Sequence, residues 1–273
     1  MTEHQSSYLH GHHDSVLRSH RWRTVRNSAA YLIPYLRPGQ QVLDVGCGPG
    51  TITVDLARMV APGTVMGLDN EPAPLEQARV DAQGVDTVSF AVGDVYQLDY
   101  PDGTFDVVHA HQVLQHLAEP VTALREMRRV CTPDGIVAAR DVDCATMTWY
   151  PPDARLDRWL DMYHRVAHSN QAEPDAGRRL LSWARAAGFS KITASAAAWC
   201  FATPEERAWW GGLWAQRITD SALAAQAVDR HLATRKDLKD IADGWHHWAE
   251  QDDGWFAVLH GEVLCQEQSS PRR

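Results

Sequence analysis

Val42-Leu43-Asp44-Val45-Gly46-Cys47-Gly48-Pro49-Gly50-Thr51 is the stretch that decides the fold. A short apolar run reads as a buried strand. It passes into three glycines at alternate positions and then into residues 51–60, which read as a helix stopped by Ala61-Pro62-Gly63. Glycines at such a turn let the backbone approach a ligand closely and adopt angles that a β-carbon forbids. The helix that follows offers unpaired N–H groups at its start. Open α/β sheets bind their ligands at this place, beyond the carboxyl ends of the strands.

Working outward, the same rhythm continues. Residues 64–68, 87–92, 105–110 and 136–140 read as strands, and 72–83 and 120–130 as helices, with Gly84 capping the first and Pro133-Asp134-Gly135 turning the chain after the second. Strand and helix alternating at this pitch predict a parallel sheet covered on both faces. On the N-terminal side, Trp22, Val25, Ala29, Leu32 and Leu36 recur at steps of three and four, which predicts one helix over 14–36, ended by Arg37-Pro38-Gly39. After residue 141 the rhythm changes. Residues 152–168 and 177–187 read as helices, 191–201 and 255–265 as strands, and 203–251 as a helix-rich insertion between those strands. There is no internal repeat, and the tail 266–273 is polar.

The 273 residues carry 26 Lys and Arg against 35 Asp and Glu, a balance of −9 that weighs against nucleic acid as a partner. No apolar run approaches the roughly 18–20 residues of a membrane span. Residues 1–14 are polar and histidine-rich and lack the apolar core of a secretory signal. The five cysteines are widely spaced without a CxxC pair, which suits free thiols in the cytoplasm better than disulfides or a zinc site. Eleven tryptophans are unevenly placed: Trp22 is followed by none until Trp149, and the other ten lie between Trp149 and Trp255.

Three nucleotide readings compete for the glycine turn. A phosphate-gripping Walker loop needs Gly-Lys-Ser/Thr, which is absent. A dinucleotide fold needs G-x-G-x-x-G, and with Gly46 and Gly48 in register the last position is Thr51. The observed G-x-G-x-G after Asp44 suits a ligand with an amino-acid moiety, whose ammonium Asp44 can hold directly or through water. Asp69 ends the second strand, where a carboxylate accepts from ribose hydroxyls, and Asp94 follows the third, where it accepts from an adenine amino group. Singly each is an ordinary loop acid; at three consecutive strand ends they form a set.

With these motifs the sequence resembles the class I S-adenosylmethionine (SAM)-dependent methyltransferases, in particular the branch of small-molecule enzymes similar to those of ubiquinone and menaquinone biosynthesis. The matching pieces are Val42–Val45 with its glycine turn, Gly67-Leu68-Asp69-Asn70, Gly93-Asp94-Val95, Phe105-Asp106-Val107-Val108 with 111–116, and the turn before Ile136, covering about residues 41–140. The resemblance implies a Rossmann-like α/β fold, a seven-stranded sheet with its last strand antiparallel, an N-terminal helical lid and a helical insertion before the last strand. It implies one methyltransferase domain over 1–273: lid 1–40, SAM-binding core 41–140, substrate-covering helices 141–190 and 203–251, and a closing hairpin of 191–202 and 254–265. It further implies that Gly46, Gly48 and Gly50 surround the methionine part, Asp69 with Asn70 the ribose, and Asp94 with Val95 the adenine, while Ala110, His111 and Gln112 pass beneath the sulfonium. Arg23 is the candidate for the SAM carboxylate. S-adenosylhomocysteine is then the product, and no metal is implied.

Methyl transfer is a displacement at a carbon whose leaving group is neutral, so the protein mostly positions and desolvates, and a base is needed only where the nucleophile carries a proton. His111, just past the fourth strand, is the base candidate; His13 and Tyr8, in the histidine-rich N-terminus, are candidates on a lid. His116 reads as a structural hydrogen-bonding group. His164 and His168 stand four apart, a metal-ligand spacing that surface neighbours share more often. Asp141 is expected at the rim of the cleft. Trp149, Tyr163, Trp210 and Trp214 are candidate walls of an aromatic pocket, against the alternative that they are core. Together these predict transfer to a small aromatic or apolar acceptor, such as a secondary metabolite with an indole or phenolic scaffold. Alternatives are a quinone-pathway C-methyltransferase and a non-catalytic SAM-binding regulator; a nicotinamide oxidoreductase is disfavoured by Thr51.

Overall fold

A computed structural model describes residues 14–267. Tyr8 and His13 lie outside the described residues. In chain order the elements are α1 (Asp14–Arg21), α2 (Val25–Ser28), β1 (Gln41–Val45), α3 (Thr51–Val60), β2 (Thr64–Asp69), α4 (Pro72–Asp81), β3 (Val88–Val92), β4 (Phe105–His111), α5 (Pro120–Val130), β5 (Cys131–Val142), β6 (Thr148–Tyr150), α6 (Ala154–Ser169), α7 (Leu180–Ala186), β7 (Lys191–Phe201), α8 (Pro204–Asp220), α9 (Ala222–Asp229), α10 (Arg235–Ala249) and β8 (Trp255–Gln266).

The first five strands are mutually parallel in the order β3-β2-β1-β4-β5. Their side chains alternate between two apolar layers. Val42, Val65, Val107 and Ala138 pack with α2, α3 and the 3-10 turn Ala30–Tyr35 on one face. Leu43, Val108, Ala110 and Ala139 pack with α5 and α7 on the other. Apolar residues on both sides are what a helix-covered parallel sheet requires. β8 then runs antiparallel to β5, and β7 pairs antiparallel along the opposite edge of β8.

The expectation of seven strands is extended by one. β8 is longer than its pairing with β5, which ends at Val142↔His260, and β6 takes over the same edge from Ala257 to Trp255. The single helix expected over 14–36 is also corrected. Thr24 forms a capping box with Asn27, so the chain restarts as α2 and then tightens into the 3-10 turn that contains Pro34. The apolar spacing survives the break, because Val25, Ala29 and Leu32 still pack together, whereas Trp22 turns into a different cluster. The turn expected at 133–135 is a bulged excursion inside β5: Phe105 pairs with Cys131, but Val107 pairs with Ile136.

A third apolar cluster lies over the C-terminal part of the sheet. It is built from α6, α8, α9, α10 and the adjoining ends of β7 and β8, and it contains Trp159, Trp210, Trp214, Trp245 and Trp248. Most ring pairs in it are edge-on or tilted, such as Trp159 against Trp214 at 4.6 Å and 72° and Trp159 against Trp245 at 4.8 Å and 85°, arrangements that the ring quadrupoles favour. Among the described residues no helix is long and apolar enough to cross a membrane.

Candidate active site

A cavity of about 1110 Å³ opens at the carboxyl ends of the parallel strands and runs under α1 towards the aromatic cluster. A single ligand site is usually about 300–1000 Å³, so this space is large enough for a nucleoside cofactor and a second molecule.

The turn between β1 and α3 forms one side. Gly46, Gly48 and Gly50 have φ of 64°, 53° and 75°, the left-handed region that glycine enters without a β-carbon clash. They differ in what they face. A β-carbon on Gly46 would meet Val113 Cγ2 at 2.4 Å, and one on Gly50 would meet the Phe90 ring at 2.8 Å. At Gly48 the nearest atom is His20 Nδ1 at 3.7 Å, so its backbone borders the cavity. Gly50 caps α3 and does not line the cavity.

The three strand-end acids are held differently. Asp44 is buried; its Oδ1 lies 2.7 Å from His109 Nδ1 and its Oδ2 accepts from Thr53 Oγ1 at 2.6 Å. Both oxygens are therefore already engaged inside the fold, and only their remaining lone pairs can serve a ligand. Asp69 Oδ2 accepts from Gly48 N–H at 2.8 Å and Oδ1 from Glu71 N–H at 3.1 Å, which ties the end of β2 to the glycine turn. Asp94 is exposed and accepts from Tyr96 N–H at 2.9 Å; Asn70 and Val95 line the same side.

β4 ends at His111 in the cavity floor, while Ala110 points into the apolar layer behind it. His111 is 5% exposed, and neither ring nitrogen has a hydrogen-bond partner among the described residues. Burial, then the Arg23 and Arg140 guanidiniums, hold it well below the usual imidazole range, so the ring is neutral. Burial likewise lowers His116 to about 3, with Gln115 Nε2 donating to its Nε2 at 3.0 Å. Arg23 Nη2 donates to Gln112 Oε1 at 2.7 Å.

Tyr163, Trp210 and Trp214 line the far side of the cavity, together with Trp199, His260 and Arg217, three residues that sequence reasoning missed. A signal for Arg217 was present: it stands seven residues after Trp210 and three after Trp214, on one helical face. Two expected positions, one in the wall and one at the rim, are corrected. Trp149 does not line the cavity, because pairing of β6 with β8 stacks it on Phe256 at 6.3 Å and 9°. Asp141 is not at the rim. β5 continues to Val142, so Asp141 is fully buried within the strand, and its Oδ1 accepts from Gln115 N–H at 3.1 Å. Its carboxyl is pushed up to about 8, chiefly by burial. His164 is bound to Leu160 O and Asp175, and among the described residues no His, Cys, Asp and Glu group is placed to hold a metal.

Backbone amides at a glycine turn, carboxylates at successive strand ends and a buried floor suit a nucleoside that bears a charged amino-acid arm. That geometry is the one a SAM-dependent, Rossmann-like methyltransferase requires. The chain belongs to that family: residues 36–200 match the family described as "Methyltransferase domain". It is 34% identical to an uncharacterized methyltransferase of Schizosaccharomyces pombe over 97% of this chain and 98% of that one. It is 35% identical to the demethylmenaquinone methyltransferase of Geobacillus stearothermophilus, over only 41% of this chain and 49% of that one. The fold is similar to that of phosphoethanolamine N-methyltransferase 2 of Haemonchus contortus, solved with phosphomonomethylethanolamine and S-adenosylhomocysteine, with a TM-score of 0.54, 18% identity and coverage of 88% of this chain and 52% of that one. SAM is the methyl donor that this family membership gives the chain.

Proposed function

We propose that this methyltransferase acts on a small, largely apolar aromatic acceptor held between the SAM site and the aromatic wall. The observation that carries this reading is the continuity of one cavity from the glycine turn to Tyr163, Trp199, Trp210 and Trp214. An aromatic-lined space favours a flat apolar guest and excludes water.

Asp69 and Asn70 would hold the donor's ribose, Asp94 and Val95 its adenine end, and Gly46 and Gly48 its amino-acid arm, with Arg23 the candidate for its carboxylate and Asp44 behind the turn. When bound, the donor supplies a methyl group on a sulfonium, which leaves as a neutral thioether. This chain's residues then have two tasks. The aromatic wall and the lining around Val142 and Val258 exclude water from the acceptor. His111, neutral and with both ring nitrogens unpartnered among the described residues, hydrogen-bonds the acceptor and aims its nucleophilic atom at the methyl. Burial, and after it Arg23 and Arg140, disfavour the imidazolium, so His111 orients rather than stores a proton. The reading favours a small acceptor over nucleic acid and leaves a quinone-type ring within the acceptor class.

Calorimetry with SAM and turnover to S-adenosylhomocysteine across a panel of aromatic acceptors test this. Asp69→Ala is expected to weaken SAM binding at least tenfold. SAM binding without turnover on any aromatic acceptor, or turnover confined to aliphatic amines, overturns it.

A further inference from the structure

β7 closes one side of the sheet, and among the described residues only β8 pairs with it. That pairing is unbroken from Lys191↔Gln266 to Phe201↔Phe256, so the outer side of β7 is a continuous row of backbone N–H and C=O groups. Such an edge is a template for another strand unless charges, a proline or a bulge blunt it. From Ile192 to Phe201 the strand has no charged residue, no proline and no bulge, and its middle, Ala194 to Ala196, is exposed.

The two faces of the sheet differ beside this edge. Opposed residues of an antiparallel pair share a face, so Trp199, Phe201, Phe256 and Val258 lie together in the aromatic cluster. The other face runs from Ile192 and Val263 to Cys200 and Leu259. Its first end is covered by α7, where Ile192 and Val263 pack with Leu180 and Ala184. Its second end is bare. Leu259 and Trp255 are 45% and 41% exposed, and Tyr150, which pairs with Trp255 on the same face, is 53% exposed. Large apolar side chains gathered on one exposed face mark an interaction surface.

A second copy of this chain fits the edge and the face together. With full overlap, antiparallel self-pairing of the 11-residue strand puts a two-fold axis at Ala196. Ala194 then meets Ala198 of the second copy and Lys191 meets its Phe201, so no like charges are opposed. Because the strands run oppositely, the covered end of one copy stands beside the bare end of the other, and α7 of each copy flanks Leu259 and Trp255 of its mate. The bare face carries no acid, so two chains of −9 each meet there without direct repulsion.

We infer that β7 is a dimerisation edge, at which two copies of this chain join strand to strand in one continuous sheet and each covers the exposed apolar face of the other. Trp199 belongs to β7 and lines the cavity, so the two acceptor walls stand on either side of the same axis.

Sedimentation and light scattering of the full chain test this. At micromolar concentration the chain is expected at twice 30.5 kDa. Ala196→Glu and Ala196→Lys each set two like charges against one another at the axis and are expected to weaken the dimer at least about tenfold. Mixed in equal amounts, the two variants are expected to form the dimer again, which also shows that both are folded. Leu259→Asp, on the bare face away from the axis, weakens the dimer too, whereas Val80→Glu, exposed on α4, leaves it intact. A parent chain that stays at 30.5 kDa overturns the inference, whether its own residues 1–13 or a different protein covers the edge. A dimer that survives Ala196→Glu, or a mixture of the two charge variants that stays monomeric, overturns it as well.

Discussion

Gln112 Nε2 stands 2.9 Å from His260 Nε2, while Oε1 of the same amide accepts from Arg23 Nη2 at 2.7 Å. A guanidinium only donates, so the arginine fixes which end of the amide faces it, and the amide N–H₂ is left to donate to His260. His260 thus carries its proton on Nδ1 and is neutral, in line with burial and the nearby Arg140 and Arg23 holding it well below the usual imidazole range. The amide joins the segment after α1 to the end of β4 and the middle of β8, and it does so from a left-handed backbone with φ of 54°.

Gln112→Ala is therefore expected to lower the unfolding free energy by about 1–2 kcal/mol, because it strips one part-buried amide from both Arg23 and His260. Gln112→Gly loses the same amide but relieves the left-handed backbone, so urea denaturation should find it less destabilised than the alanine variant. The opposite order would mean that residue 112 carries no backbone strain.

His111 should not titrate in the range where turnover is measured. It is held well below 6.5, so its ring stays neutral from about pH 6 upward, and kcat should carry no ionisation of this residue between about pH 6 and 9. Long-range nitrogen–proton NMR of the ring should give constant shifts over that interval. His111→Ala is expected to reduce kcat/KM by roughly a hundredfold, as loss of orientation does.

Asp141 gives stability a pH dependence of defined sign. Its folded value of about 8 lies above the ordinary carboxyl value of 3.8, so over that interval the folded chain keeps a proton that the unfolded chain releases. Stability from this group falls as pH rises from about 4 to about 8 and is level above that. Asp141→Asn has no such ionisation. The unfolding free energy of the parent minus that of the variant should therefore decline between about pH 5 and 8, and a constant difference contradicts the buried, protonated carboxyl.

Gly46→Ala should be the most damaging single methyl in the glycine turn. Its β-carbon would stand 2.4 Å from Val113 Cγ2 at a φ of 64°. Adding Val113→Ala removes the contact but not the backbone cost, which is about 1–2 kcal/mol for a left-handed residue. Thermal melts with SAM calorimetry should show the double variant partly restored in stability.

The cofactor side was legible because its signals are local. A strand, a turn of glycines and an acid at the next strand end are read within a few tens of residues, and the alternating elements over 41–140 follow from apolar spacing alone. Local signals also placed β7 and α5 at their residues. Thr24 was readable as a cap, yet the periodicity of 14–36 masked it, since a helix restarted in phase keeps the same spacing. The aromatic side was not legible in this way. Ten tryptophans between Trp149 and Trp255 say that this part is bulky and apolar, but not which rings turn inward to each other and which face the cavity. That choice depends on how α6, α8 and α10 cross one another and on β6 joining the edge of β8. It sends Trp149 onto Phe256 and Trp159 into the core, and brings Trp210, Trp214 and Arg217 to the cavity. The sequence by itself determined the cofactor side, because turn chemistry and strand-end carboxylates act over short chain distances. Only the tertiary structure decided the wall facing that donor, because burial of one face of a helix is settled by what packs against it.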